Sequence, residues 1–441
     1  MSSKIKPRLY KGTRDFLPEQ MIKRNYVVTI IKEVFEKFGF DPLETPALEL
    51  WETLSGKYGE EGDRLTYRFI DRGKREVGLR YDLTVPLSRV IAMYPEIPMP
   101  FKRYQVQPVW RADKPQKGRF REFYQCDIDI IGSSSMLADA EIIAAFHRVL
   151  TRLNFQKFTI RINSRKILSG IAEISGTIPE KEAEVARAID KFDKIGINGV
   201  REELINRGIK PDGANKILQV LNIDGSNSGR LEKLSNLLQA SQPGQDGIKV
   251  MKDLLSYLRM LEVPEDQILF DLYLARGLDY YTGPIYETRV DEPKIGSITG
   301  GGRYDNLIGL FSGKNLPATG SSIGLERIVT VMDELEMFPK NLKTSVQVLV
   351  TIFDSTTLQY SIKITNLLRD RNINCDLYSG NSKLRGQFGL ANDRNIPITV
   401  VAGPDEMEKN TVNVKNMSSG KQVNVPFESV VEEIGHQLNM S

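Results

Sequence analysis

Apolar residues at Ile22, Tyr26, Ile30, Val34 and Phe38 recur at helical spacing, so the first clear element is a helix over 19–38, stopped by Gly39. The run FDPLETPALEL at 40–50 follows, and the residues before Pro42 and Pro46 are driven out of α geometry, which predicts an extended segment. A long helix leading into such a strand suits a plain core and a subunit interface equally. Residues 79–89 (LRYDLTVPLSR) read as a strand end entering a helix, with Asp82 and Thr84 placed to cap it. Two β-prone runs between 100 and 132 flank a loop at 112–118 rich in Pro, Gly and charge, which predicts a hairpin. An amphipathic helix over 136–153 and a strand, FTIRIN, come next.

From 169 to 264 the pattern turns charged and helical (KEAEVARAIDKF, ANKILQVL, LEKLSNLLQ, VMKDLLSYLRML), with Gly/Ser/Asn joints and no chemical motif, as expected of a helical insertion. Glycine-rich sequence then returns at 274–284 (LARGLDYYTGP), 297–309 (SITGGGRYDNLIG) and 320–331 (GSSIGLERIVTV), the last passing into an amphipathic helix near Gly324. A polar linker at 335–344 leads to a small α/β domain over 344–441: strand VQVLVTIF, a helix, CDLY, a basic loop and helix at 383–394, strands IPITVVAG and VNVKN, and a helix from Ser429.

The hairpin carries the most chemistry. Successive strand side chains point to opposite faces, so Arg121, Phe123, Gln125, Asp127 and Asp129 share one face while Glu122, Tyr124, Cys126, Ile128 and Ile130 share the other. The second face becomes apolar and reads as core. The first lines up a guanidinium, a ring, an amide and two carboxylates at steps of ~7 Å, a pattern common to a solvated strand face and to a polar binding surface. Between 102 and 121 seven Lys or Arg (102, 103, 111, 114, 117, 119, 121) face one acid, Asp113, a density suited to nucleotide phosphates and RNA backbone. Arg327 falls in the first turn of its helix, where the dipole disfavours a cation; a surface Arg or a nearby anion would account for it.

Composition narrows the chemistry by exclusion. The 441 residues carry a net charge of only +3, so nucleic-acid affinity must come from local patches. No apolar run approaches ~18 residues, so no membrane span is expected. The start, MSSKIKPRLYKGTRDF, lacks a signal-peptide core, and the two cysteines, Cys126 and Cys375, read as free thiols, which together point to a cytoplasmic address. His147 and His436 are the only histidines, too few for a His-ligated zinc or a Ser-His-Asp centre. There is no complete P-loop; residues 309–314 have the wrong spacing.

Taken together, these stretches resemble class II aminoacyl-tRNA synthetases, and within them the histidyl-tRNA synthetase family. FDPLETPALEL resembles the first class motif, at the dimer interface; WRADKPQKGRFREF, within 104–125, resembles the second; GSSIGLERI, within 320–331, resembles the third. LARGLDYYTG and GGGRYDNL are similar to the two histidine-specific signatures. The resemblance implies an α+β protein: an antiparallel six-stranded catalytic domain over 1–335 with the insertion at 169–264, and an anticodon-binding α/β domain over 344–441. It implies a histidine pocket of Asp82, Thr84, Arg111, Gln125, Asp129, Arg276, Tyr280 and Tyr281, with Arg111 and Arg276 catalytic, holding the substrate carboxylate and the ATP α-phosphate. Phe123 would stack on adenine, Asp113 and Arg119 would contact the nucleotide, and Arg327 its γ-phosphate end; Lys114, Gln116 and Lys117 would reach the tRNA acceptor end. The family often has Glu where this chain has Asp113. Implied partners are ATP as substrate, Mg²⁺, L-histidine, the cognate histidine tRNA and a second copy of the chain, with no protein-held metal and no membrane. Two other readings share the fold, a catalytically silent paralogue that senses histidine or tRNA and a synthetase for another amino acid.

Overall fold

A computed structural model of the chain describes residues 5–116, 118–275, 280–340 and 342–439. It divides into two units, one taking the chain up to Arg14 together with Val27–Met337, the other Asp15–Tyr26 together with the chain from Phe338 onward. In order, the strands of the first unit are β1 (Asp41–Pro42), β2 (Leu48–Leu50), β3 (Arg68–Ile70), β4 (Glu76–Leu79), β5 (Phe101–Trp110), β6 (Glu122–Ile131), β7 (Phe158–Ser164), β8 (Ile268–Phe270), β9 (Pro284–Val290), β10 (Thr299–Arg303) and β11 (Ala318–Gly324).

Eight of these form one sheet in the order β1-β5-β6-β11-β10-β9-β7-β8. The two edge pairings, β1 with β5 and β7 with β8, are parallel, and all inner pairings are antiparallel. Six strands therefore run antiparallel, as the resemblance implies, and short parallel strands cover both edges. A separate sheet of β2, β4 and β3 carries the extended 40–50 stretch onward. β3 has no readable signal: it is three residues long and all three are exposed.

The hairpin forms as its pattern predicts, with Arg103 opposite Asp129, Gln105 opposite Asp127 and Gln107 opposite Gln125. Its polar face is not solvated, because Gln125, Asp127 and Asp129 are as buried as Ile128 and Ile130 behind them. The helix Met136–Arg152, capped by the Ser135 hydroxyl accepting from the Leu137 amide at 3.2 Å, lays Ile142, Ile143 and Phe146 into the core. Phe35 joins that core through rings 6.0 Å from Tyr104 and 5.9 Å from Phe146. Between β7 and β8 stand six helices, from Arg165–Ile174 to Gln242–Met260, around buried Leu204, Ile217, Leu234 and Leu254.

The second unit holds β12 (Val348–Val350), β13 (Cys375–Leu377), β14 (Ile398–Val401), β15 (Thr411–Asn416) and β16 (Gln422–Pro426) in the order β13-β12-β14-β15-β16. Helices Leu358–Asp370 and Val430–Asn439 supply Ile364, Leu368 and Ile434 to a core with Val348, Val400 and Val414. The sequence reading omits β16, whose five residues bury only Val423 and Val425, and those partly. Gln387, in the basic helix read from 383, is buried and braces this sheet, donating to the Ile352 carbonyl at 2.7 Å. His147 is structural, its Nε2 2.7 Å from Gln267 Oε1.

Candidate active site

One cavity of about 140 Å³ opens on the polar face of β6, lined by Asp82, Thr84, Arg111, Gln125, Asp127, Asp129, Tyr280, Tyr281, Gly300, Tyr304, Gly320, Ser321 and Ser322. Every histidine-pocket residue read from the sequence is on that wall except Arg276, which lies outside the described residues.

Each wall group is held by its own local structure. Asp82 ends the run out of β4 just before the helix Thr84–Met93, and it does cap that helix, accepting from the Val85 amide at 3.0 Å. The cap leaves its carboxylate facing the cavity, where it also accepts from the hydroxyls of Tyr58 at 3.1 Å and Tyr280 at 3.4 Å. Capping and pocket lining are thus one geometry. On β6, Asp129 Oδ2 meets Arg103 Nη2 at 2.7 Å, an ion pair fully enclosed by the sheet, and the Tyr304 hydroxyl donates to the other oxygen. Arg103 is itself steadied by Gln105 Oε1 at 3.2 Å and the Leu83 carbonyl at 3.3 Å. Gln125 donates to Ser322 Oγ at 3.1 Å, while its Oε1 and the Ser321 hydroxyl, both buried, have no hydrogen-bond partner. Unsatisfied buried polar atoms are costly, so this wall is built for donors brought by a ligand.

Glycine makes the space. A Cβ on Gly320, which sits opposite Asp129 in the β11–β6 register, would occupy the position of Asp129 Oδ1. The neighbouring Arg303 of the GGGRYDN string turns away from the cavity and pairs with buried Asp139, a structural role.

Burial and crowding of like charge set the electrostatics. Desolvation raises the carboxyls of Asp82 and Asp129 above the usual range, against the opposing pull of Arg111 and Arg103 respectively. Asp127 is pushed up to about 7, first by burial and then by Asp129, with Arg103 opposing. The Tyr281 hydroxyl is raised by burial and by all three carboxylates, Asp129, Asp82 and Asp127. Perturbation of this kind clusters at functional sites.

At the mouth, Arg111 donates to the Tyr81 carbonyl at 3.1 Å, with its guanidinium 4.2 Å from the Tyr81 ring and 5.1 Å from the Phe123 ring. Phe123 therefore borders the cavity without lining it. Beyond lies the loop, with Asp113 half-buried, Lys114, Gln116 and Arg119 exposed, and Arg119 3.8 Å from Asp113; Lys117 lies outside the described residues. Arg327 is half-buried and donates to the Ser297 carbonyl. Sequence reasoning left out Asp127, Tyr304, Ser321 and Ser322 as site residues. Asp127 had a usable signal, its place between Gln125 and Asp129 on one strand face; Tyr58, which joins the site through its hydrogen bond to Asp82, had none. Among the described residues no helix is long and apolar enough to cross a membrane, and no group of three or more His, Cys, Asp or Glu is set to hold a metal.

Comparison with known proteins agrees with this geometry. The family model described as histidyl-tRNA synthetase matches residues 12–328, and an anticodon binding domain matches 347–437. The histidine–tRNA ligase of Cytophaga hutchinsonii is 42% identical across 97% of this chain and 99% of its own length, and that of Gloeobacter violaceus is 42% identical across 97% and 98%. The crystal structure of histidyl-tRNA synthetase from Nostoc sp. PCC 7120 superposes with a TM-score of 0.88 at 33% identity, covering 98% of this chain and all of that one. A Bacillus halodurans protein, titled as an ATP phosphoribosyltransferase regulatory subunit/histidyl-tRNA synthetase, shares the fold at 21% identity and a TM-score of 0.75 over 90% of this chain.

Proposed function

This chain belongs to the histidyl-tRNA synthetase family, and from that premise we propose how its residues divide the work of a histidine–tRNA ligase. In the first step a histidine carboxylate oxygen bonds to the α-phosphorus of ATP, the bond to pyrophosphate breaks, and histidyl-adenylate forms. In the second the terminal ribose hydroxyl of the tRNA takes the histidyl group and AMP leaves.

Arg111 and Arg276 hold the substrate carboxylate and the α-phosphate. Guanidinium stays charged and forks onto both kinds of oxygen, and in a dry site one such contact to developing charge is worth ~3 kcal/mol. Asp82, Thr84 and Gln125 take the α-ammonium; Asp129, Tyr280 and Tyr281 take the imidazole. Phe123 stacks on adenine, with Asp113 and Arg119 on the nucleotide and Arg327 toward the γ-phosphate. Mg²⁺ usually accompanies ATP phosphates and would enter with them.

The observation that carries this reading is the convergence of Arg111, three buried carboxylates and three tyrosines on one cavity of about 140 Å³. An apolar cavity of about 150 Å³ takes a benzene ring, so a five-membered ring fits. Polar walls that bond a ring N–H also reject apolar look-alikes strongly.

The rest of the chain is assigned on the same premise. Residues 1–335 form the catalytic domain with the insertion at 169–264, 344–441 bind the anticodon, and Lys114, Gln116 and Lys117 meet the acceptor end. A second copy docks along 40–50, where Leu48 and Leu50 stand 49% and 46% exposed beside exposed Phe69 and Ile70; sedimentation at micromolar concentration tests this. The cytoplasm suits a chain in which neither Cys126 nor Cys375 forms a disulfide. Histidine-dependent ATP–pyrophosphate exchange tests the activity. Exchange with histidine and not with proline, threonine or glycine is expected, and its absence in folded protein overturns the reading.

A further inference from the structure

Asp127 is the one cavity carboxylate the assignment above leaves without a task, although it is only 3% exposed. Its neighbours on the wall are each compensated: Asp129 by Arg103 and Tyr304, Asp82 by two hydroxyls and a helix amide. Asp127 has only the Ser322 hydroxyl and a long contact from Gln125 Nε2 at 3.5 Å, and among the described residues no ion pair reaches it. The groups facing it are Gln125 and Asp129 on its own strand, Arg103 on β5, Ser322 on β11, Asp82 before the helix Thr84–Met93, and Tyr281; Arg80 acts from farther off.

Among the described residues, three carboxylates thus share a low-dielectric space with two guanidiniums, Arg103, committed to Asp129, and Arg111, which with Arg276 is assigned to the substrate carboxylate. A buried carboxylate without a cation either keeps its proton or awaits a positive ligand. Orientation says which part of the ligand arrives. Arg111 follows the end of β5, where Trp110 pairs with Glu122, and the polar face of β6 runs inward from there through Gln125 to Asp127 and Asp129 at steps of ~7 Å. An amino acid anchored by its carboxylate at Arg111 extends its side chain toward Asp127 and Asp129.

Resting on the reading that this cavity holds histidine, we propose that Asp127 selects the imidazolium form of the substrate: one proton is shared between the Asp127 carboxyl and the ring, residing on the ring in the complex. On binding, where the carboxyl holds the proton its O–H bond breaks and a ring N–H bond forms; where the carboxyl is already ionised, the ring takes its proton from solvent, so histidine binding at pH 8 is accompanied by proton uptake. In the empty protein burial pushes that carboxyl up to about 7, so near neutral pH its protonated and ionised forms are both populated. An unperturbed histidine ring has a pKa of about 6.5, so a modest difference suffices to move the proton. Asp127 would then be a specificity residue, rewarding a ring that can carry charge.

Ring-¹⁵N-labelled histidine bound to the whole chain, observed by NMR at pH 8, tests this. In the wild type both ring nitrogens should be protonated, which requires a ring pKa raised by at least ~1.5 units and therefore at least ~30-fold preference for the cation. Asp127→Asn should return a neutral ring and weaken histidine binding about tenfold or more, with ATP binding unchanged, and Asp127→Glu should restore the imidazolium signal. A neutral ring in the wild type at pH 8, or an imidazolium that persists in Asp127→Asn, overturns the proposal even if histidine binds tightly. The wild-type spectrum decides even if Asp127→Asn does not fold. Failure of the wild type to bind histidine at all would overturn the reading of the cavity itself, a distinct result.

Discussion

Arg103→Met tests whether the wall of the site is an electrostatic construction. The Arg103 side chain is entirely enclosed, 2.7 Å from Asp129, and its other contacts are Gln105 and the Leu83 carbonyl. Methionine fills much of the volume but leaves Asp129 buried beside Asp127 and Asp82 with no cation of its own. Breaking one partner of a buried ion pair costs about 3–5 kcal/mol, which in a unit of this size lowers the melting temperature by roughly 4–7 °C. The pH dependence identifies the cause. Arg103 is what opposes the burial-driven rise of Asp129, so the variant raises that carboxyl further above its unfolded value. A carboxyl raised in the folded state costs stability as pH climbs from the unfolded value to the folded one. The loss should therefore be small near pH 4 and full at pH 8. Asp129→Asn in the same background should recover most of the loss at pH 8. Thermal scans of the wild type, the single variant and the double variant at both pH values measure this, and a loss independent of pH, or no recovery in the double variant, would refute the argument and leave mere packing as the cause.

The same sign applies to Asp127, raised to about 7: Asp127→Asn should stabilise the ligand-free protein at pH 8, by at most about 4 kcal/mol, and leave it unchanged near pH 4, as denaturant titration would show. Gly320→Ala puts a methyl group where Asp129 Oδ1 lies, so histidine affinity by calorimetry should fall more than tenfold with a smaller loss of ATP affinity; equal losses would mean general unfolding. Gly12 has φ +92, and its carbonyl accepts from the Arg121 amide at 2.9 Å. Its Cβ would come within 2.8 Å of Pro115 and 2.9 Å of Arg121. Gly12→Ala should therefore shift the 112–120 loop, raising the KM for ATP and tRNA several-fold while histidine binding holds, and unchanged kinetics would show that the lead-in does not position the loop.

Local pattern carried a great deal here. The helix at 19–38, the hairpin, the third glycine-rich stretch entering its helix, and the strand and helix order of 344–441 were legible because each rests on periodicity or turn chemistry within a few residues. Short strands were not. β3 and β16 are held by pairing with their neighbours rather than by any apolar stripe of their own, and pairing is invisible in a one-dimensional pattern. Tyr58 likewise has no sequence signal of its own.

The alternation along β6 was determined by sequence alone, since a strand must send Gln125, Asp127 and Asp129 to one side whatever surrounds it. That this side faces a cavity instead of bulk water was decided by tertiary structure. Tyr304 comes to Asp129 from 175 positions away and Tyr280 to Asp82 from 198, and no local rule encodes such distances. The physical reason is that the cost of a buried carboxylate, and hence its shifted proton affinity and its use in recognition, is a property of everything packed around it. Residue type and spacing name the candidates, and only burial turns three ordinary aspartates into a wall of raised proton affinity.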